Sequence, residues 1–195
     1  NLLASANDSY ETIMFQMRKG NDMRSITTTD KIQQNQWLHT AFVYDNDLKK
    51  SAIYLNGKLL VEGDSHTTEG LQRTCNYLGK SNWVVDLLFK GYMKDVRIWD
   101  SARTSHEIID NMHSQFTGSE KGLLAYYPMD EEIGSIVNNL VDGGFNSTAN
   151  IMGNAEWQSY TNCDLPLSTH KNTPISIELH ISDPDNTIDQ LHISV

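Results

Sequence analysis

Residues 91–112 constrain this chain more than any other stretch, because an alternating extended run passes there within a few residues into a helix start. In Asp95-Val96-Arg97-Ile98-Trp99 the side chains of Val96 and Ile98 point to one side and those of Asp95, Arg97 and Trp99 to the other, since a strand has period two. One face of this strand is expected to enter a core. Thr104 and Glu107 then have the spacing of a capping box. Ile108, Ile109, Met112 and Phe116 recur at helical spacing, which predicts a helix of about three turns near 104–116.

A second run, Trp37-Leu38-His39-Thr40-Ala41-Phe42-Val43-Tyr44, is rich in aromatic and β-branched residues and stops at Asp45-Asn46-Asp47, the signature of a strand ending in a turn. Beyond it, Ala52-Ile53-Tyr54-Leu55 and Lys58-Leu59-Leu60-Val61 flank Asn56-Gly57. Asn-Gly is the pair best suited to the two positive φ angles of a type I′ hairpin turn. These elements predict an all-β, antiparallel fold carrying one short helix.

Taken in order, W-x-H-x-A-x-x-Y-D from Trp37, I-Y-x-N-G-K from Ile53, Y-L-G-K-S-N-W from Tyr77, D-V-R-I-W-D-x-A-R-T-x-x-E-I from Asp95 and G-L-L-A-Y-Y-P-M-D from Gly122 resemble the laminin-G-like, pentraxin-like domains of the concanavalin A-like lectin and glucanase superfamily. The resemblance extends from about Tyr10 to about Trp157 and implies a jelly roll of two antiparallel sheets, with a small helix after the D-V-R-I-W strand. The opening strands usual in such domains have no counterpart here. The first strands are therefore expected to be missing or differently built, and the sheet edges they leave to be open to pairing.

The resemblance thus assigns 1–158 to a laminin-G-like domain. After Trp157 the composition turns polar, with Pro166 and Pro174, so 159–173 reads as a linker. Ile175, Ile177, Leu179 and Ile181 alternate with polar residues, and 174–195 resembles the start of a cadherin-like or immunoglobulin-like repeat. Cys75 and Cys163 are the two cysteines of the chain. An even count permits one disulfide between them in an oxidising compartment, and two thiols otherwise.

Catalytic signatures are weak. The glucanases of the superfamily carry E-x-D-x-x-E on one strand, whereas the E-x-D here, Glu62-Gly63-Asp64, has Thr67 in the last position, so glycoside hydrolysis is not expected. His106-Glu107-Ile108-Ile109-Asp110 departs from the H-E-x-x-H zinc motif at its fifth residue. A net charge of −10 over 195 residues argues against nucleic acid, which is held by clusters of Lys and Arg. No apolar run reaches the ~18 residues of a membrane span, and membrane insertion is not expected.

Binding is the expected task. The resemblance implies calcium at the sandwich rim, for which Asp45 and Asp47 are candidates, as are Asp183 and Asp185 in the repeat-like segment; all four also suit ordinary turns. Asn82, Trp83 and Asp86 are candidate ligand contacts, with Trp83 as a stacking platform for a sugar. The expected role is a non-catalytic recognition or adhesion module of a secreted or cell-surface protein, binding a glycan or an extracellular protein through the loops at 45–49 and 80–88. The alternatives are a structural spacer, or a substrate-targeting appendage of a glycosidase such as a sialidase.

Overall fold

The computed structural model describes residues 2–6, 12–33, 36–66, 75–84, 86–143, 148–158, 175–179 and 191–194. Among the described residues the chain forms an all-β sandwich with one short helix. Strands β1 (Leu2–Ala6), β2 (Ile13–Lys19) and β3 (Asp22–Thr27) make an antiparallel three-stranded sheet. Next come β4 (Thr40–Asp45), β5 (Lys50–Leu55), β6 (Lys58–Asp64) and β7 (Asn76–Leu78), then β8 (Val96–Trp99), helix α1 (Ser105–Asn111) and β9 (Leu123–Tyr127). The remaining strands are β10 (Ile136–Val137), β11 (Ala149–Gly153), β12 (Ile175–Leu179) and β13 (Leu191–Ser194). The largest sheet runs β6-β5-β4-β13-β8-β9, and a third sheet runs β10-β11-β12-β7.

Both faces of the six-stranded sheet are covered. On one face Phe42, Tyr44 and Ile53 pack against Ile13, Phe15, Met17 and Ile26 of the first sheet. On the same face Val96, Ile98, Ala125 and Tyr127 pack against Leu78, Val137 and Ala149 of the third. The first and third sheets therefore share the work of the second layer. On the opposite face Ala41, Val43, Ala52 and Tyr54 lie under Ile108 of α1, while Trp99, Leu123 and Tyr126 lie under Phe116 and Val141. This is why β4 and β8 are buried along consecutive residues instead of alternating.

The hairpin expected at Asn56-Gly57 joins β5 to β6, with φ of 47° and 77° at the two turn residues, the left-handed pair that a type I′ turn requires. The capping box is formed as well. Thr104 Oγ1 accepts from the Glu107 N–H, and the Glu107 carboxylate accepts from the Thr104 N–H at 2.8 Å. The helix is shorter than its apolar spacing predicts and stops at Asn111. Arg97 draws the carbonyl oxygens of Asn111 and Ser114 onto its guanidinium at 2.6 Å each, which turns the chain out of the helix and carries Phe116 onto the sheet.

The alternation in 174–195 does produce strands, but they do not stand apart from the sandwich. β12 pairs with β11 and β7, and β13 pairs with β4 on one side and β8 on the other. The physical reason lies in the ladders, because β4 and β8 would otherwise present rows of unpaired N–H and C=O groups to one another across a gap. The linker at 159–173 lies outside the described residues.

Candidate functional site

The Asp45 turn is built for its own closure. Asp45 Oδ1 accepts from the N–H groups of Asp47 and Leu48 at 2.9 Å each, and Tyr44 Oη lies within hydrogen-bond distance of both Asn46 Oδ1 and the carbonyl of His66, which share its one proton. Among the described residues no three His, Cys, Asp or Glu side chains come together as a group that could hold a metal ion. Asp183 and Asp185 lie outside the described residues. So does Cys163, and of the two cysteines that could pair or remain thiols only Cys75, exposed just before β7, is described.

The 80–90 loop brings Asn82, Trp83 and Asp86 into one turn, where their hydrogen bonds serve the loop. Asn82 Nδ2 donates to the carbonyl of Cys75, the Trp83 N–H donates to the Oγ of buried Ser81, and the Asp86 N–H donates to the carbonyl of Trp83. The Arg18 guanidinium sits 5.1 Å from the Trp83 ring centre. The tip presents apolar side chains, with Val84 fully exposed and Leu87 mostly so.

The motif that dominates the sequence is a clamp. Arg97 is only 2% exposed and is held by Asp95 through a forked pair, Nε to Oδ1 at 2.9 Å and Nη2 to Oδ2 at 2.5 Å. Its guanidinium also lies 4.2 Å from the ring centre of Phe116. Arg103 is paired with Glu107 at 2.9 Å and stacks 4.2 Å above Trp99. The conspicuous D-V-R-I-W-D-x-A-R run thus fastens α1 to the sheet.

His39 belongs to this assembly. It borders a space of about 10 Å³ enclosed by Arg97, Trp99, Arg103 and Ile108, room for about one water, and its Nδ1 is buried with no hydrogen-bond partner. Burial, with the positive Arg97 and His113 adding to it, lowers its pKa to about 4. The folded state therefore refuses a proton that the unfolded chain accepts near pH 6.5. The stability due to this group is full above pH 6.5 and is lost as pH falls toward 4, by about 2–3 kcal/mol after allowance for partial exposure. In urea titrations the stability gap between the native protein and His39→Gln is expected to shrink by about 2 kcal/mol between pH 7 and pH 4. A gap independent of pH would contradict this assignment.

A wider concavity lies where the chain enters β8 and leaves β9 and β11. It is a cleft of about 560 Å³, within the ordinary size range of small-ligand sites. Trp37, Tyr92 and Trp157 give it aromatic walls, and Lys94, Asp130, Glu132, Glu156 and Gln158 give it polar ones. Trp37 is 38% exposed and lies 6.4 Å from Tyr92 between ring centres, with the Lys94 ammonium 5.3 Å from its own ring centre. Trp157 is fixed by a hydrogen bond from Nε1 to the carbonyl of Gly134 at 2.9 Å. The lip is braced by Glu131, whose Oε1 accepts from the N–H of Asn138 at 2.6 Å. The cleft thus offers rings beside exposed carboxylates and amides, an arrangement suited to binding a polar molecule with apolar faces. Sequence reasoning missed it because its walls come from three separate parts of the chain. The available signal was the pair of tryptophans, Trp37 and Trp157, at the two ends of the sandwich motifs.

A family model described as the concanavalin A-like lectin/glucanases superfamily matches residues 2–109. Over 98 residues, 47% of this chain, the sequence is 28% identical to mouse pappalysin-1, and it spans 6% of the length of that relative. A solved structure from Bacteroides ovatus, described as a candidate carbohydrate binding protein, superimposes with a TM-score of 0.51 at 20% identity, covering 71% of this chain and 42% of that one. This likeness speaks to the fold. Among the described residues no helix is long and apolar enough to cross a membrane.

Proposed function

Because the chain belongs to the concanavalin A-like lectin/glucanases superfamily, we propose that it is a non-catalytic recognition module that binds a glycan in the cleft walled by Trp37, Tyr92 and Trp157. The observation that carries this reading is the combination in one concavity of half-exposed aromatic rings with side chains that hydrogen-bond hydroxyls. Sugar rings present C–H faces that pack on aromatic planes and hydroxyls that need polar partners at the edge. The fold likeness to the B. ovatus protein supports it. The E-x-D run lies outside the cleft on β6, where Asp64 pairs with Lys50 at 2.8 Å, which supports a binding role over hydrolysis. The expected setting is a larger secreted or surface protein, in line with the short match to one segment of pappalysin-1.

Calorimetry with hits from a glycan array tests the reading. Replacing Trp37 and Tyr92 together by alanine is expected to weaken binding at least tenfold, about 1.4 kcal/mol, while the melting temperature moves by no more than about 2 °C. Unchanged affinity would remove the cleft as the site. A second reading, recognition of a protein through the 80–90 loop, is favoured by the exposed Val84 and Leu87. Under it, Val84→Ser with Leu87→Ser would abolish binding to that protein and spare glycan binding.

A further inference from the structure

Among the described residues, three carboxylates of the cleft have no cationic partner. The charge of Asp95 is matched by Arg97. In contrast, Asp130 and Glu132 are exposed and have neither an ion pair nor a side-chain hydrogen bond among the described residues, and Glu156 receives only an amide N–H from Gln158 at 3.4 Å. Lys94 supplies one positive charge on the Trp37 side, and His113 a second only when protonated. The cleft therefore carries a surplus of negative charge.

Aromatic faces add to this polarity. The π-surfaces of Trp37, Tyr92 and Trp157 attract cations and repel anions, and in a concave wall field lines from neighbouring carboxylates reinforce one another. A glycan with sulfate or uronate groups would meet repulsion from both components of the wall. A sugar with a free amine would place an ammonium group between carboxylate and ring while its C–H face remained available for stacking.

Resting on the glycan reading above, we infer that the cleft is specific for a cationic amino-sugar chain, a glycan of de-N-acetylated hexosamine, over its neutral and anionic counterparts. The carboxylates supply selectivity and the rings supply the common platform.

Three hexasaccharides discriminate the outcomes: glucosamine, N-acetylglucosamine and galacturonic acid, each titrated into the whole chain at pH 7.5 and low salt. Because the glucosamine amines are only partly protonated there, a repeat at pH 6.5 accompanies each titration. The expected result is binding of the glucosamine oligomer at least tenfold tighter than the N-acetylated one, no measurable binding of the uronate, and a preference that shrinks at 0.5 M salt as exposed charges are screened. In Asp130→Asn/Glu132→Gln/Glu156→Gln, whose melting temperature verifies folding, the ratio between the first two sugars is expected to fall toward one. Equal affinities in the native protein, or preference for the uronate, would overturn the charge specificity and leave the glycan reading standing. Binding of hexalysine as tight as that of the glucosamine oligomer would overturn it in favour of a bare ammonium site. Failure of all three sugars to bind would overturn the amino-sugar specificity, whereas the glycan reading falls only when the glycan array yields no ligand either.

Discussion

Replacing Arg97 by methionine is expected to cost about 3–5 kcal/mol of folding stability, a large part of the total for a domain of this size. The side chain is almost wholly buried and satisfies four acceptor contacts: the two Asp95 oxygens and the carbonyls of Asn111 and Ser114. Methionine fills a similar volume but leaves a half-buried carboxylate and two carbonyls without donors, and an orphaned buried charge costs more than the pair contributed. Urea unfolding would show the loss as a lower midpoint at unchanged slope, and heating as a fall in melting temperature of about 10 °C. Arg97→Lys is expected to recover only part, because an ammonium cannot serve a forked carboxylate and two diverging carbonyls at once. Asp95→Asn in the methionine background should restore about 1 kcal/mol or more by removing the stranded charge. A loss below about 1 kcal/mol in Arg97→Met would show that the clamp does not hold the helix.

The second large effect is expected at Gly118. Its φ is +88°, and a Cβ there would lie 2.0 Å from the carbonyl oxygen of Leu140, a backbone atom that cannot swing aside. Gly118→Ala is therefore expected to cost about 2–4 kcal/mol, combining left-handed strain with a forced shift of the chain. Gly134→Ala provides the control. Its φ of +87° is nearly the same with nothing within 4 Å, so only the conformational cost of about 1 kcal/mol should be seen. Leu140 also lines the cleft, so the Gly118 variant is expected to lose glycan affinity as well. Equal melting temperatures for the two variants would contradict the close approach.

What could be read from the sequence was local. The Asn56-Gly57 hairpin and the Thr104/Glu107 cap depend on residues within a few positions of one another, and both are present. The role of Arg97 was hidden because an alternating strand is ordinarily half solvated, and nothing near 97 in the sequence reveals that the chain folds back and seals the second face. The extent of the helix was overread for the same reason, since Met112 and Phe116 keep helical spacing although their apolar contacts are made outside it. The 80–90 loop drew attention through Trp83, whose neighbours Asn82 and Ser81 hold the turn. The cleft was invisible because Trp37, Tyr92 and Trp157 meet only once both sheets are in place. The placement of β12 and β13 inside the sandwich depends on unpaired ladders far away in sequence, which alternation alone does not record.

That remote provenance makes a bound sugar a staple. Trp37 precedes β4, Tyr92 precedes β8 and Trp157 follows β11, so a ligand touching all three rings would tie together segments that lie far apart along the chain. Any partial opening that lets the end of β11 fray, or lifts the segment before β8, would first have to release the sugar, so binding lowers the population of those open states. Occupancy would then be written into amide exchange well away from the contact surface, slowing it together in the strands that each ring anchors.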